Sequence, residues 1–287
     1  MIGVDEQLQK FYLFGTPVAL SLSPLLHNTG FKYYQLPFVY ELCDTSDIQK
    51  VVDTLNVPNT RGGSVTIPHK QAIVPYLHEL SDSAKQIGAV NTVIKTDNKL
   101  YGDNTDWLAI FKLLNAKLEL RQNKNSSPIG LIIGAGGTSH AACYALNVLG
   151  IKFYVWNRSN DKTEELVKKF GGQACSDLTQ LTEKIDVVIG TVPPTAQFVL
   201  PDQLLHKELI VVELVYNPRK TALIQQTEKH QCQTVEGIEL LLEQGLVQFK
   251  LFSRREAPRK EIVQQFIEKY CNGEMKNDLP ASFRLFN

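Results

Sequence analysis

GLIIGAGGTSHAACYAL, residues 130–146, joins a short apolar run, a glycine-rich turn and a segment with helical periodicity. Gly134 and Gly136 would allow a tight turn and a close approach of the backbone to a pyrophosphate, and the N–H groups at a helix start favour an anion. The third position of this pattern, usually glycine or alanine, is Ser139. A purely structural glycine turn is the alternative, but another apolar run, FYVW at 153–156, follows after one βαβ unit. The segment therefore predicts a dinucleotide-binding fold.

The end of that next strand indicates which dinucleotide would bind. An NAD site usually carries Asp or Glu there, about 20 residues beyond the turn, to hold the ribose 2′-OH. This chain instead has Asn157-Arg158-Ser159, followed by Lys162. Arg158 offers a planar fork for a 2′-phosphate, Lys162 a second positive charge and Ser159 a hydroxyl. Solvated cations at a helix start are the alternative; we interpret the pattern as a preference for NADP.

Strand and helix patterns alternate along most of the remaining chain. Apolar runs typical of strands occupy 11–15, 38–42, 64–67, 130–133, 153–156, 186–190 and 209–214. Helical periodicity occupies 48–55, 105–114, 140–149, 162–170 and most of the last ~50 residues. This alternation predicts an α/β protein with a parallel sheet covered on both faces. The polar segment RQNKNSSP, at 121–128, is the best candidate for a boundary between two α/β domains.

The composition excludes several classes of protein. The chain has 287 residues, 43% of them hydrophobic and 21% charged, which suits a sizeable core and excludes wholesale disorder. Lys and Arg number 30 and so do Asp and Glu, so no overall positive field would attract nucleic acid. No apolar run approaches the ~18 residues of a membrane-spanning helix, and the polar N-terminus lacks the apolar core of a secretory signal. We therefore expect no nucleic-acid or membrane partner.

Cysteine usage bears on compartment and metal binding. The five cysteines, at 43, 143, 175, 232 and 271, are widely spaced, odd in number and without a CxxC pair. That pattern favours neither a disulfide framework nor a zinc cluster, so no metal is expected. A reducing compartment fits best, and the chain is predicted to be cytoplasmic.

Ser21 and Ser23 stand where a helical stretch follows the first strand. Two hydroxyls beside the N–H groups of a helix start suit a carboxylate ligand. Simple capping of the helix by Ser23, with Pro24 at the first helical position, is the alternative. Spacing alone favours capping.

Lys70 closes SVTIPHK, residues 64–70, in which a short strand ends at Pro68 and turns into a helix. Open α/β sheets bind ligands at the C-terminal edges of their strands, so Lys70 is a candidate for chemistry. Asn91 and Asp106 stand at the ends of two further elements. An Asp within reach would hold the lysine ammonium, and a desolvated lysine can exchange a proton. A surface lysine and ordinary capping residues are the alternative for each position taken alone.

Taken together, the motifs resemble those of the shikimate dehydrogenase family, which includes quinate/shikimate dehydrogenases. In order, they are PVALSLSPLLHN (17–28), GGSVTIPHK (62–70), IGAVNTV (87–93), GDNTDW (102–107), GAGGTS (134–139), NRS (157–159), VYNP (215–218) and GIELLLEQG (237–245). Four segments are most similar to fungal members of the family: FYLFG, SPLLHNTGF, GTVP and VELVYNP. Those members include stand-alone quinate dehydrogenases and the dehydrogenase domain of a five-activity polypeptide. Because this chain begins with Met, its organisation is expected to resemble that of the stand-alone enzymes.

The resemblance implies a role for each matching position. The implied catalytic pair is Lys70 and Asp106. The implied substrate-binding residues are Ser21, Ser23 and Tyr216 for a carboxylate, and Thr66, Asn91 and Gln244 for ring hydroxyls. The implied cofactor-binding residues are Gly134, Ala135, Gly136 and Gly137 at the phosphate turn, Asn157, Arg158, Ser159 and Lys162 at the 2′-phosphate, and Gly237 and Leu240 near the nicotinamide.

The resemblance also implies two α/β domains with the active site in the cleft between them. Residues 1–106 would form a substrate-binding domain with a mixed, mainly parallel sheet, completed by helices in about 240–287. Residues 107–239 would form the Rossmann-type NADP-binding domain. The implied activity is the reversible NADP-dependent reduction of 3-dehydroshikimate to shikimate, by a monomer or homodimer acting on a small-molecule substrate. Quinate as substrate is the first alternative, and a non-catalytic metabolite sensor the second.

The chain departs from the family pattern at five positions. Leu20 replaces a common His, Ser64 a common Asn, His140 a common Arg, Leu240 a Met and Ala109 a Gly. None of these changes removes a group that performs the chemistry. Ser64 is expected to remove one amide contact to the substrate and so to bear most on substrate preference.

Overall fold

The computed structural model describes residues 8–121, 127–270 and 279–284. The chain divides into two compact units. The first unit comprises the chain up to Thr105 together with the chain from Leu242 onward, and the second unit comprises Asp106–Leu241. The polar segment 121–128, most of which lies outside the described residues, therefore falls inside the second unit and does not separate the two.

The strands of the described chain are β1 (Gln9–Gly15), β2 (Phe38–Asp44), β3 (Thr60–Val65), β4 (Glu79–Leu80), β5 (Thr92–Thr96), β6 (Lys99–Asp103), β7 (Ile129–Ile133), β8 (Lys152–Trp156), β9 (Gln173–Cys175), β10 (Val187–Gly190), β11 (Ile210–Glu213) and β12 (Gln233–Val235). The helices are α1 (Ser23–Tyr33), α2 (Ile48–Asn56), α3 (His69–Ala72), α4 (Asp82–Ile87), α5 (Asp106–Glu119), α6 (Gly137–Val148), α7 (Asn160–Phe170), α8 (Ala222–Lys229), α9 (Gly237–Ser253), α10 (Arg259–Tyr270) and α11 (Ala281–Arg284). None of the helices within these described ranges is long and apolar enough to cross a membrane.

The first unit contains a mixed sheet with the strand order β2-β1-β3-β5-β6-β4. The pairs β1–β2, β1–β3 and β4–β6 are parallel, and β3–β5 and β5–β6 are antiparallel. Strands β5 and β6 form a hairpin closed by Asp97 and Asn98, with φ of 50° and 57°. Two consecutive left-handed residues match the twist of a two-residue hairpin loop, a conformation that Asp and Asn tolerate. The sheet is therefore mixed and mainly parallel, as the resemblance implied.

Strand β3 begins earlier than its sequence pattern predicts, at Thr60 rather than at residue 64. Two glycines interrupt the apolar pattern, and both are required by space: a Cβ on Gly63 would lie 2.3 Å from the carbonyl oxygen of Tyr12. Gly62 has φ +141°, and a Cβ there would lie 2.1 Å from the carbonyl oxygen of Val93 on β5. Only a residue without a side chain permits so close an approach.

The second unit contains a fully parallel sheet with the order β12-β11-β10-β7-β8-β9. Successive residues of β7 enter opposite cores: Ile132 packs with Ala142 and Leu146 of α6, and Leu131 and Ile133 pack with the opposite cluster. Burial on both faces explains the unbroken apolar run of this strand. The strand order reverses between β7 and β10, and open α/β sheets bind ligands beyond the strand ends at such a point.

Candidate functional site

The glycine turn lies where the strand order reverses, between β7 and α6. Gly134 has φ +112°, and a Cβ there would lie 2.3 Å from Thr191 Oγ1, so glycine is required. At Gly136 a Cβ would meet nothing within 4 Å, which leaves open space beside the helix start. Gly137 opens α6, and the first turn of that helix carries no acidic side chain. An open cradle at a helix N-terminus without a competing carboxylate fits a pyrophosphate.

Ser139 braces this turn from within and stands where glycine or alanine was expected. Its hydroxyl oxygen accepts a hydrogen bond from the Gly136 N–H at 3.0 Å and lies 2.7 Å from Thr191 Oγ1. The Thr191 hydroxyl donates to the Ile133 carbonyl at 2.8 Å, so Ser139 is the donor to Thr191. No local sequence pattern points to Thr191, because its partners Ser139 and Ile133 lie 52 and 58 positions away along the chain.

The four residues expected at the 2′-phosphate follow the C-terminal end of β8, three in the turn after it and Lys162 in the first turn of α7. The Asn157 amide donates to the Ser159 carbonyl at 3.1 Å, which holds the turn into α7. Arg158, Ser159 and Lys162 are exposed, and neither cation forms an ion pair with any residue in the described ranges. The Gly134 N–H donates to the Trp156 carbonyl at 2.8 Å, so the phosphate turn adjoins this strand end. The cations are therefore available to an anion next to the glycine turn.

Tyr216 lies in a loop that follows β11 and is fixed by a buried carboxylate. Glu213 Oε1 accepts the Val215 N–H at 3.0 Å, and Oε2 accepts the Thr221 hydroxyl at 3.0 Å. Arg219, in the same loop, donates to Glu236 through Nε at 2.7 Å. These contacts tie both ends of the Tyr216 loop to the strand and to the start of α9.

The two cofactor candidates on α9 differ in their surroundings. A Cβ on Gly237 would lie 2.4 Å from the Val215 carbonyl, so the start of the helix can approach the loop only with glycine. Leu240 is 6% exposed and belongs to the core that contains Ile210 and Val212. Its role beside the nicotinamide stays a prediction.

Glu213 predicts a measurable dependence of stability on pH. Burial raises the pKa of Glu213 from 4.5 to about 6. As pH rises from 4.5 to 6 the unfolded chain releases this proton first, so the shift lowers stability, by about 2 kcal/mol once pH exceeds 6. Glu213→Gln removes the charge and keeps an oxygen that accepts the Val215 N–H, and its amide nitrogen donates to the Thr221 hydroxyl oxygen in place of the oxygen that accepts from it. We expect the variant to be more stable than the parent by roughly that amount at pH 8 and nearly equal at pH 4.5, in urea titrations. The same difference at both pH values would contradict this account.

In the first unit, the serine pair lies at the start of α1. The N-cap residue is Leu22, without a side-chain hydrogen bond, so Ser23 does not cap the helix and that alternative is wrong. Ser21 Oγ accepts the Ser23 N–H at 3.2 Å, and the two hydroxyl oxygens are also 3.2 Å apart. Two adjacent hydroxyls at a helix start suit a carboxylate ligand.

The loop after β3 carries Thr66 and Lys70, both half-buried. The Thr66 N–H donates to the Phe14 carbonyl at 2.8 Å, which places the loop beside the end of β1 that leads to the serine pair. The Lys70 carbonyl accepts the Val90 N–H at 2.7 Å, so Lys70 lies next to the segment of Asn91.

Asn91 and Gln244 meet directly, together with a residue that sequence reasoning missed. Asn91 Nδ2 donates to Thr105 Oγ1 at 2.9 Å and to Gln244 Oε1 at 3.3 Å. Thr105 Oγ1 lies 3.3 Å from the same Gln244 oxygen. Thr105 belongs to the GDNTDW motif, so the motif could have identified it as a site residue. Its contact with Gln244, 139 positions away, could not be predicted from the spacing of that motif.

The structure therefore assembles two groups of candidates, one in each unit. The first unit holds Ser21, Ser23, Thr66, Lys70, Asn91 and Gln244, and the second holds Asp106, Tyr216 and all of the cofactor candidates. Asp106 is the first residue of α5. Among the described residues, no three His, Cys, Asp or Glu side chains are grouped as metal ligands would be.

Two family models match the chain in the same order. Residues 13–93 match the shikimate dehydrogenase substrate binding domain, and residues 116–236 match the shikimate / quinate 5-dehydrogenase model. Among curated proteins, the pentafunctional AROM polypeptide of Schizosaccharomyces japonicus is 36% identical over 282 residues, which cover 88% of this chain and 18% of that polypeptide. The chain thus spans about a fifth of the length of the curated relatives that it matches.

Solved structures of similar length also resemble the chain. Shikimate dehydrogenase from Aquifex aeolicus is 30% identical with a TM-score of 0.82, over 92% of this chain and 99% of that one. The Thermus thermophilus enzyme, in complex with NADP(H) and shikimate, is 28% identical with a TM-score of 0.79, over 90% and 98%. The Listeria monocytogenes enzyme, in complex with shikimate and NAD, is 29% identical with a TM-score of 0.75, over 91% and 97%. Because the two family models together match well over half of the chain, and a curated member is 36% identical over 88% of it, the protein belongs to the shikimate dehydrogenase family, whose members are oxidoreductases acting on a CH–OH group.

Proposed function

We propose that this protein is an NADP-dependent shikimate dehydrogenase that reversibly reduces 3-dehydroshikimate to shikimate. The observation that carries the proposal is the direct contact of Asn91, Thr105 and Gln244 beside the segment of Lys70. Amide and hydroxyl groups next to a lysine suit a ring with several hydroxyls, one of which exchanges a proton. We propose a cytoplasmic location and a monomer or homodimer.

The substrate would be held at its two ends by different chemistry. Ser21 and Ser23 would donate hydrogen bonds to its carboxylate, helped by Tyr216. Thr66, Asn91 and Gln244 would hold the ring hydroxyls. Anchoring the ring at both ends fixes which hydroxyl is presented for oxidation, and orientation of this kind contributes to rate without new chemistry.

Lys70 would handle the proton. In the oxidation of shikimate, the hydroxyl proton passes to the Lys70 amine while the hydride leaves the same carbon, and the carbon–oxygen single bond becomes a carbonyl. In the reduction, the Lys70 ammonium returns a proton to the oxygen as the carbon gains hydride. Asp106 would hold the ammonium in place; the pairing of the two residues stays a prediction.

NADP, when bound, supplies the hydride chemistry. Gly134, Ala135, Gly136 and Gly137 would hold its pyrophosphate, and Asn157, Arg158, Ser159 and Lys162 its 2′-phosphate. Support for NADP comes from the two cations at the end of β8 and from the Thermus thermophilus relative. Because the Listeria monocytogenes relative was solved with NAD, activity with NAD⁺ has to be measured beside activity with NADP⁺.

Quinate is the second candidate substrate. Hydroxyl and amide groups of the same kind would hold its ring, and the model that matches residues 116–236 covers both shikimate and quinate dehydrogenases.

Initial rates with shikimate and quinate, each with NADP⁺ and with NAD⁺, test the proposal. We expect turnover of shikimate with NADP⁺ to exceed the other three combinations. Faster turnover of quinate would identify the protein as a quinate dehydrogenase. Faster turnover with NAD⁺ would contradict the role given to Arg158. Absence of turnover in all four, with ligand-induced thermal stabilisation retained, would favour a metabolite sensor.

A further inference from the structure

Tyr40 is held in the edge strand β2 by two residues of α1. The Asn28 side chain accepts the Tyr40 N–H at 2.8 Å and donates to the Tyr40 carbonyl at 2.9 Å. The His27 ring stacks on the Tyr40 ring with centroids 4.4 Å apart and planes 16° from parallel. Burial lowers the pKa of His27 to about 3, so the stacked imidazole is neutral. The His-Asn pair at the end of SPLLHN therefore fixes the position of one buried tyrosine.

A series of hydrogen bonds links the Tyr40 hydroxyl to Ser64 and Gln248, and the donor and the acceptor of each bond can be assigned. Gln248 Nε2 donates to the Asn91 carbonyl at 3.0 Å and to Thr92 Oγ1 at 2.9 Å. Because a carbonyl only accepts, Gln248 must turn its Oε1 to Ser64 Oγ, 2.8 Å away. The single Ser64 proton is then given to Gln248, so the Tyr40 hydroxyl donates to Ser64 at 2.7 Å.

The same directional logic fixes the side chain of Asn91. The Thr92 hydroxyl accepts from Gln248 and donates to Asn91 Oδ1 at 2.7 Å. The backbone N–H of Thr105 donates to the same oxygen at 2.8 Å. Two donors on Oδ1 leave Nδ2 on the side of Gln244 and the Thr105 hydroxyl. Asn91 is thereby oriented with its N–H groups, not its carbonyl, on the side where Gln244 lies.

We propose that Tyr40, Ser64, Gln248 and Thr92, here called the buried relay, are positioning residues that orient the Asn91 amide for the substrate. All four are buried, with exposed fractions of 2%, 4%, 1% and 0%, and each of their side-chain N–H and O–H groups donates within this set or to Asn91, so they act through Asn91. This inference rests on the proposed function. It also gives Ser64 a different role from the one expected. The Ser64 hydroxyl is bonded to Tyr40 and Gln248, so Ser64 affects substrate affinity indirectly, through the orientation of Asn91.

Thr92→Val tests the buried relay, because it keeps the shape of the side chain and removes the hydroxyl between Gln248 and Asn91. We expect KM for shikimate to rise about 10-fold, with KM for NADP⁺ unchanged, since one buried hydrogen bond is lost. Thr92→Ser restores the hydroxyl and should recover the parental KM. In an Asn91→Ala background, Thr92→Val should have no further effect, because the residue it orients is absent.

Thr60 provides a matched control in the same sheet. It is also fully buried, but its hydroxyl has no hydrogen-bond partner among the described residues. Thr60→Val should leave KM unchanged. Equal effects of Thr92→Val with and without Asn91, or a rise in KM for Thr60→Val as large as for Thr92→Val, would overturn the proposal.

A readout without catalysis separates this proposal from the proposed function. The side-chain amide resonances of Asn91, assigned by their loss in Asn91→Ala, should shift in Thr92→Val and Gln248→Met and stay in place in Thr60→Val. Unchanged resonances in Thr92→Val would overturn the relay even in an active enzyme. Shifted resonances in a protein that neither binds nor oxidises shikimate would overturn the proposed function and leave the orientation of Asn91 established.

Discussion

Lys70→Ala is expected to lower kcat for shikimate oxidation by about 10²–10⁴-fold, the usual contribution of a positioned proton-transfer group. The KM for shikimate should change far less, because the serine pair and the Asn91 group bind the remainder of the ring. Initial rates at saturating NADP⁺ separate the two constants. Lys85→Ala is the matched control, since Lys85 is an exposed lysine of the same unit in an ion pair with Asp82.

A second substitution distinguishes proton exchange from simple charge stabilisation. Lys70→Arg keeps a positive charge but cannot release a proton near neutral pH. If Lys70 exchanges the hydroxyl proton, arginine should be nearly as inactive as alanine. Activity of Lys70→Arg near the parental level would restrict Lys70 to an electrostatic role, and an unchanged kcat in Lys70→Ala would remove it from the mechanism.

Arg158→Ala is expected to lower kcat/KM for NADP⁺ by about 10–100-fold and to leave kcat/KM for NAD⁺ nearly unchanged. Hydrogen bonds between charged groups are worth about 1.5–3 kcal/mol, and only NADP⁺ carries the phosphate that would receive them. Arg158→Ala combined with Lys162→Ala should lower the value further. Both constants come from initial rates with shikimate held at saturation.

Lys152→Ala is the control for this substitution, because Lys152 is an exposed cation at the opposite end of β8, the strand that precedes Arg158. It should change neither cofactor's constant. Equal losses with NADP⁺ and NAD⁺ in Arg158→Ala would mean that Arg158 acts on a part that the two cofactors share, and not on the 2′-phosphate.

The second unit was largely predictable from sequence. Its central strands β7, β10 and β11 are buried on both faces, so each appears as a continuous apolar run, and the turn at Gly134 has a recognisable spacing. The short strands β9 and β12, of three residues each, carry too few apolar residues to stand out.

The antiparallel part of the first unit escaped prediction for a different reason. Strands β5 and β6 alternate buried and partly exposed residues, which is a weaker signal than an apolar run. Their loop is Asp97-Asn98, a combination that tolerates left-handed backbone and could have been recognised between two alternating runs.

The candidate site was predictable only where a local motif marks it. Lys70, Asn91 and Gly134 stand in recognisable segments. The partners that orient such residues do not: Ser64 and Gln248 are 184 positions apart, and no pattern within one segment reveals their contact. For the same reason the expectation that Ser64 simply removes a substrate contact missed its engagement with Tyr40 and Gln248.

Asn28 also bears on whether the edge strand β2 can pair with a strand of another chain. Strand β2 lies at the edge of its sheet, and an edge strand with unpaired backbone groups is a template for pairing with another chain. The Asn28 amide already occupies both the N–H and the carbonyl of Tyr40, near the middle of that strand. A second chain that paired along the whole of this edge would have to displace Asn28 from Tyr40, so the amide disfavours edge-to-edge aggregation.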